Sequence, residues 1–325
     1  MLKDILQNKK CFKLICGAGN ENIEEVEKLV ALYAKAGANF FDLSASEEVM
    51  EAALRGLKRV VPESELKNYH LCVSIGAKDD PHFNKAVIDK LKCVSCGNCI
   101  EICPQKAIIL KNNEYLINEK RCIGCGNCKS TCLTTAISFY SKNTSFEEIL
   151  SPIAKHNISC IELHASCNNE EEIYEKWQKI NHNFDGILSI CLNRTHFGDI
   201  RLIELIKQLL KERKDFSTII QADGCAMSGL NDEYKTTLQA IAMAEIIQNA
   251  NLPVFIMICG GTNSKSSEFA KLCNLDIHGV AIGSFARKIV RQYTIREDFF
   301  ENQEIFNQAL KVAKSLVDKT LKYLT

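Results

Sequence analysis

Two cysteine runs constrain this chain more than any other feature. They are Cys93-Val-Ser-Cys96-Gly-Asn-Cys99-Ile-Glu-Ile-Cys103-Pro104 and Cys122-Ile-Gly-Cys125-Gly-Asn-Cys128-Lys-Ser-Thr-Cys132. Both read C-x2-C-x2-C-x3-C, the bacterial ferredoxin spacing in which the fourth cysteine of each run ligates the other cluster. Three thiolates two residues apart wrap one cubane only if the backbone turns tightly. Gly97-Asn98 and Gly126-Asn127 supply residue types that tolerate left-handed angles. A shift of 29 residues, Cys93 onto Cys122, also lays Ala107-Ile108 onto Ala136-Ile137. Each half therefore reads as a short strand, a ligand loop, a helical turn and an apolar return. The spacing assigns one [4Fe–4S] cluster to Cys93, Cys96, Cys99 and Cys132, and a second to Cys122, Cys125, Cys128 and Cys103. Zinc sites draw four ligands from two pairs rather than from two interleaved runs of four.

Outside this stretch, short apolar runs alternate with amphipathic helical patterns. Strands are expected at 12–17, 39–43, 70–75, 159–164, 186–192, 218–223, 253–259 and 279–283. Helices are expected between them, among them 20–36, 47–59, 145–155, 170–180, 199–214, 232–249 and 266–272, with a long one closing at 303–323. Ser145-Phe-Glu-Glu148 reads as a capping box. Eight such strands imply an α/β, (β/α)8 TIM-like barrel, with an open doubly wound sheet as the alternative. The expected organisation is residues 1–77 as the first part of the barrel, 78–142 as an inserted two-cluster ferredoxin-like α+β module, and 143–325 as the remainder. A loop after strand three lies at the C-terminal face, where such barrels place their sites.

Forty basic and forty acidic side chains cancel, so no global field favours nucleic acid or an anionic membrane surface. No apolar run is long enough to span a bilayer, and the first ten residues lack a signal-peptide core. With 17 cysteines, a cytoplasmic, reducing compartment is expected. Of those outside the runs, Cys16, Cys72, Cys160, Cys191 and Cys259 fall in or beside apolar strands and read as small core hydrophobes. Cys225 and Cys259, each beside a glycine, are the candidates for a reactive thiol.

A second constellation follows strands seven and eight: Gly260, Gly261, Thr262 and Asn263, then Gly283 and Ser284, with Ser264 and Arg287 or Lys288 nearby. Glycine turns and a helix N-terminus there suit a phosphate, so FMN or another phosphate-bearing ligand is expected. Lys13, Asp42, Glu162, His164 and Asp223 fall at strand ends, either as acid, base and ligand groups or as buried ion pairs. His196 and His278 read as surface residues.

Taken with the cysteine runs, Phe12-Lys-Leu-Ile-Cys-Gly17, Gln221-Ala-Asp-Gly224, Met227-Ser-Gly229, Thr237-Leu-Gln-Ala240, Gly260-Gly-Thr-Asn-Ser-Lys265 and Gly279-Val-Ala-Ile-Gly-Ser284 make the chain resemble the cyanobacterial light-dependent-period protein (LdpA) family. The resemblance implies an iron–sulfur protein that senses cellular redox state and passes it to the circadian clock. It also carries cluster ligation onto the same eight cysteines. Two functions stay open: a redox sensor or electron relay with a redox or regulatory protein partner, and an FMN-dependent iron–sulfur oxidoreductase acting on a small molecule at the barrel mouth.

Overall fold

The structure, a computed structural model, describes every residue except 78–79, 143, 166, 168, 196, 225–230 and 325. Its elements run α1 (Leu2–Gln7), β1 (Cys11–Ile15), α2 (Ile23–Ala36), β2 (Phe40–Ser44), α3 (Glu47–Val60) and β3 (His70–Gly76). The cysteine stretch follows as β4 (Asn84–Ile88), α4 (Asn98–Ile102), β5 (Ile108–Lys111), β6 (Glu114–Ile117), α5 (Asn127–Ser130) and β7 (Ile137–Ser141). The alternation then resumes with α6 (Phe146–Lys155), β8 (Cys160–His164), α7 (Glu170–Asn183), β9 (Ile187–Asn193), α8 (Asp199–Leu210) and β10 (Thr218–Asp223). It ends with α9 (Leu238–Asn249), β11 (Phe255–Cys259), α10 (Ser266–Leu272), β12 (Gly279–Ile282), α11 (Ser284–Thr294) and α12 (Gln303–Lys322).

The eight strands of the repeating pattern form a closed parallel barrel in the order β1-β12-β11-β10-β9-β8-β3-β2. β3 pairs directly with β8, Cys72 opposite Cys160, so the cysteine stretch leaves the barrel and returns without breaking its ladder. Closure excludes the open sheet. Period-two alternation sorts the side chains. Phe12, Leu14, Phe41, Leu43, Leu188 and Ile190 point outward into the core beneath the helices, whereas Cys11, Phe40, Cys72, Cys160, Ile219, Phe255 and Met257 fill the lower interior.

Local signals place most helices. Ser145 and Glu148 cap α6 reciprocally, with Ser145 N donating to Glu148 Oε2 at 3.2 Å and Glu148 N to Ser145 Oγ at 3.4 Å. Two elements depart from expectation. The first residues form α1, whose Leu2 and Leu6 close the bottom of the barrel over Cys11 and Phe40. The helix expected from 232 starts only at Leu238. The Asn263 amide donates to the carbonyls of Asn231 and Glu233, holding that segment on the loop after β11 instead of in a helix.

The cysteine stretch builds a two-fold pattern from two antiparallel pairs, β4 with β7 and β5 with β6. It is bound to the barrel by Lys85, a buried cation that donates to the carbonyls of Gly19 at 2.6 Å, Glu119 at 2.8 Å and Cys122 at 2.9 Å. Among the described residues no helix is long and apolar enough to cross a membrane.

Candidate functional site

The structure gathers the eight cysteines around two cavities, four to each. Cys93, Cys96, Cys99 and Cys132 line an outer cavity of about 360 Å3 with Tyr115 and Ile137. Cys103, Cys122, Cys125 and Cys128 line an inner one of about 350 Å3 with Ala107, Ile123 and Phe139. The internal repeat persists at the level of backbone angles. Gly97 and Gly126 have φ 84° and 83°, ψ −14° and −16°. Ser95 and Gly124 share φ 56° and 68°, and Lys106 and Thr135 share φ 49° and 52°. Asn98 and Asn127, whose residue type suggested a share in the left-handed turns, do not adopt them. They are the first helical residues of α4 and α5.

The donor set suits iron–sulfur clusters on its own chemistry. Ala107 N donates to Cys103 Sγ at 3.3 Å, its repeat partner Ala136 N to Cys132 Sγ at 3.3 Å, and Ala86 N to Cys122 Sγ at 3.4 Å. Amide donors of this kind tune the potential of sulfur-ligated clusters. Burial, then the neighbouring Cys125, Cys122 and Cys103 thiols, pushes the Cys128 thiol up to about 12. Four thiolates in that space need a cationic centre. The two cavities differ in setting: Cys96 is exposed, whereas Cys122 and Cys128 are buried against the barrel.

The barrel mouth holds a third cavity of about 710 Å3. Gly260, Gly261, Thr262, Gly283 and Ser284 all line it, with Arg287. Asn263 does not: besides its two carbonyl partners, its amide donates to Thr236 Oγ1 and its side-chain oxygen accepts from Lys265 N. The Thr262 hydroxyl donates to the Ala281 carbonyl at 2.6 Å, and Ser264 turns to Asp232. Lys288 is exposed while Arg287 is buried, its Nη1 donating to the Ile15 carbonyl at 2.7 Å and its Nε without a partner among the described residues. His82 also lines the mouth and was not anticipated; its position just after a barrel strand, in Asp80-Pro-His, was the available signal.

Below the mouth lies a buried charged layer. Lys13 pairs with Glu162 and, at 3.6 Å, with Asp42. Ser74 donates to Asp42 at 2.6 Å, and Ser189 and Gln221 donate to Glu162. Burial works against ionisation of Glu162, but Lys13 and His164 hold its pKa down at about 2. Burial likewise opposes charge on His164, whose Nε2 lies 2.9 Å from Glu162 Oε1. That carboxylate, with Asp80 and Asp42, nonetheless holds the imidazole up at about 9. Lys13, shared by Asp42 and Glu162, thus forms a charged brace across the barrel, with His164 beside Glu162 as a further cation. His164, Glu162 and Asp223 also face the cavity. Of the residues expected at the surface, His278 is half-buried, its Nδ1 accepting from Ile256 N at 3.0 Å; His196, Cys225 and Met227-Ser-Gly229 lie outside the described residues.

A 4Fe-4S dicluster domain model matches residues 85–133. A model of the light dependent period A C-terminal domain matches residues 152–319, more than half of the chain. The chain belongs to the light dependent period A family. Light dependent period A of Synechococcus elongatus is 28% identical over 321 residues, covering 87% of this chain and 82% of that protein. As an iron–sulfur member of the family, the chain carries the dicluster domain before the matched C-terminal region. Among solved structures, the YdjI aldolase from Escherichia coli K12 aligns with a TM-score of 0.49 at 8% identity, over 99% of this chain and 94% of the other. A truncated 3-deoxy-D-arabino-heptulosonate 7-phosphate synthase from Thermotoga maritima aligns at 0.47 and 9% identity, over 96% and 86%. The barrel assignment rests on the strand pairing described above and not on these likenesses.

Proposed function

We propose that this chain is a redox relay and sensor holding two [4Fe–4S] clusters, one on Cys93, Cys96, Cys99 and Cys132 and one on Cys122, Cys125, Cys128 and Cys103. Ile123 carries the reading. It lines both the inner cysteine cavity and the barrel-mouth cavity, so the two share a wall residue. The outer site supports electron entry from a redox partner protein. Val94, which lines this site with the exposed Cys96, and Leu91 and Leu133, next in sequence to its cysteines, are exposed at 62%, 98% and 77%, apolar surface suited to transient docking. A path of surface, outer cluster, inner cluster and barrel mouth follows. The printed name of the Synechococcus relative ties that protein to a light-dependent period; for this chain we extend it to a regulatory, clock-type output in a reducing, cytoplasmic compartment.

The second reading is an FMN-dependent oxidoreductase. The glycine turns at 260–261 and 283 and buried Arg287 favour it, since they leave room and a cation for a phosphate at the mouth. Anaerobic purification with iron, sulfide and flavin measured on one sample decides. About eight irons per chain without flavin, even after reconstitution, is the expected result. The same iron with stoichiometric flavin moves the assignment to the enzyme. Iron near zero with bound zinc removes both readings.

A further inference from the structure

We propose that Cys191, Asp223 and Cys259 form a site for one thiophilic divalent cation, of the zinc class, in the floor of the barrel-mouth cavity. Cys191 lies on β9, Asp223 ends β10 and Cys259 ends β11, so three adjacent strands each contribute one donor. All three line the cavity, and their ligand atoms lie within 4.8 Å of one another.

The spacing of the sulfurs distinguishes a metal pair from a disulfide. Cys191 Sγ and Cys259 Sγ are 3.9 Å apart. β10 runs between their strands, pairing Gln221 with Cys191 and Asp223 with Cys259. Two strand spacings separate the backbones by roughly 9 Å, beyond the roughly 7 Å within which a disulfide closes without backbone movement. Two sulfurs bonded to one tetrahedral zinc at about 2.3 Å lie about 3.8 Å from each other. The observed separation fits shared coordination.

Charge points the same way. Lys13 is shared between Asp42 and Glu162, His164 lies 2.9 Å from Glu162, and His82 pairs with Asp80 at 2.8 Å. Asp223, 4% exposed, is in no ion pair among the described residues; its carboxylate already accepts a hydrogen bond from the Cys191 thiol, with His82 and His164 as its nearest charged groups. Its Oδ1 lies where a side chain on Gly260 would begin, 1.7 Å from an ideal Cβ, so only glycine lets the carboxylate reach this position. Binding replaces two thiol protons, M2+ plus two Cys–SH giving M(S–Cys)2 plus two H+, with the Asp223 carboxylate as third ligand. The fourth position faces the cavity, which is the arrangement of a zinc centre that accepts an exogenous oxygen or nitrogen ligand.

The inference does not depend on what occupies the two cysteine cavities, and its test separates the two. Full-length protein purified anaerobically with its iron is equilibrated with Zn2+ alone and desalted. Zinc, iron and sulfide are then counted and zinc K-edge absorption is recorded. Expected is about one zinc per chain with two sulfur neighbours at about 2.3 Å and lighter atoms completing the shell. Cys259→Ala and Asp223→Asn should each weaken zinc retention about tenfold or more, since even outer-shell changes cost that much, with iron and sulfide unchanged. Cys273→Ala, an exposed cysteine elsewhere, should change nothing. Wild-type protein that retains no zinc, or zinc with four sulfur neighbours that survives in both variants, overturns the site. If Cys259→Ala also loses iron through misfolding, the wild-type absorption spectrum and Asp223→Asn still decide.

Discussion

Ser95 and Gly124 occupy equivalent places in the two cysteine halves with the same left-handed backbone, yet one is serine and the other glycine. The environment explains the difference. Ser95 is exposed, whereas a Cβ at Gly124 would meet Pro81 O at 2.3 Å and Asn84 O at 2.6 Å; at Gly126 it would meet nothing within 4 Å. Gly126→Ala should therefore cost only the left-handed penalty, about 1–2 kcal/mol. Gly124→Ala should cost about 3 kcal/mol or more and lower the iron retained, because the inner half must move off the chain it packs on. Urea denaturation with iron counting checks both, and equal effects would refute the argument. Lys13 poses the same kind of test inside the barrel. Lys13→Met leaves Asp42 and Glu162 buried without their cation and should cost about 3–5 kcal/mol, read as a fall in the urea midpoint.

At the scale of elements, α1 and the module contact decide what the barrel ends enclose. α1 sits over the bottom opening, so Leu6→Ala, at a fully buried position, should cost about 2–4 kcal/mol. Beneath it His70, at the start of β3, contacts Ser159 Oγ at 3.1 Å. Burial, then the positive N-terminus, depresses its pKa to about 4. The native state thus holds His70 neutral while the unfolded chain protonates it near 6.5. Stability is fully present above about pH 6.5 and is lost as pH falls toward 4, by roughly 3 kcal/mol in all. His70→Phe should narrow the difference between urea midpoints at pH 7 and pH 5; an unchanged difference would show that His70 does not set it.

Across the whole molecule, the two cysteine sites are alike in backbone and unlike in surroundings. The inner one is held by Lys85, whose three carbonyl partners are Gly19 in the loop after β1, Glu119 just before the second cysteine run, and Cys122 at its start. Lys85→Met should leave the Gly19 and Cys122 carbonyls without that donor, Glu119 keeping the Cys122 amide, and expose the segment around 84–141 to limited proteolysis while the barrel stays intact. Exposure of Cys96 against burial of Cys122 and Cys128 predicts two-step iron loss to a chelator in air. About half of the iron should leave fast from the outer site and the rest slowly. The visible absorbance should follow the same two phases, and Cys96→Ser should remove the fast one. A single phase in wild-type protein would show that the sites are equally accessible.

What the sequence determined by itself is what near neighbours encode. Cysteine spacing sets which four line which cavity, the 29-residue shift repeats down to φ and ψ, and period-two runs alternating with amphipathic helices specify eight strands. The capping box at Ser145 was legible for the same reason. Only the tertiary structure decided which way loop side chains face and what stands between cavities. Asn263 looked like its glycine neighbours in the phosphate-type loop, but it bonds to carbonyls some 30 residues earlier. α1 is too short for a clear periodic signal and is ordered by the barrel end it covers. Ile123 lines two cavities where Lys85 ties its neighbour Cys122 to Gly19 in the loop after β1. Cys191 and Cys259, 68 residues apart, meet because parallel pairing sets β9 and β11 on either side of β10.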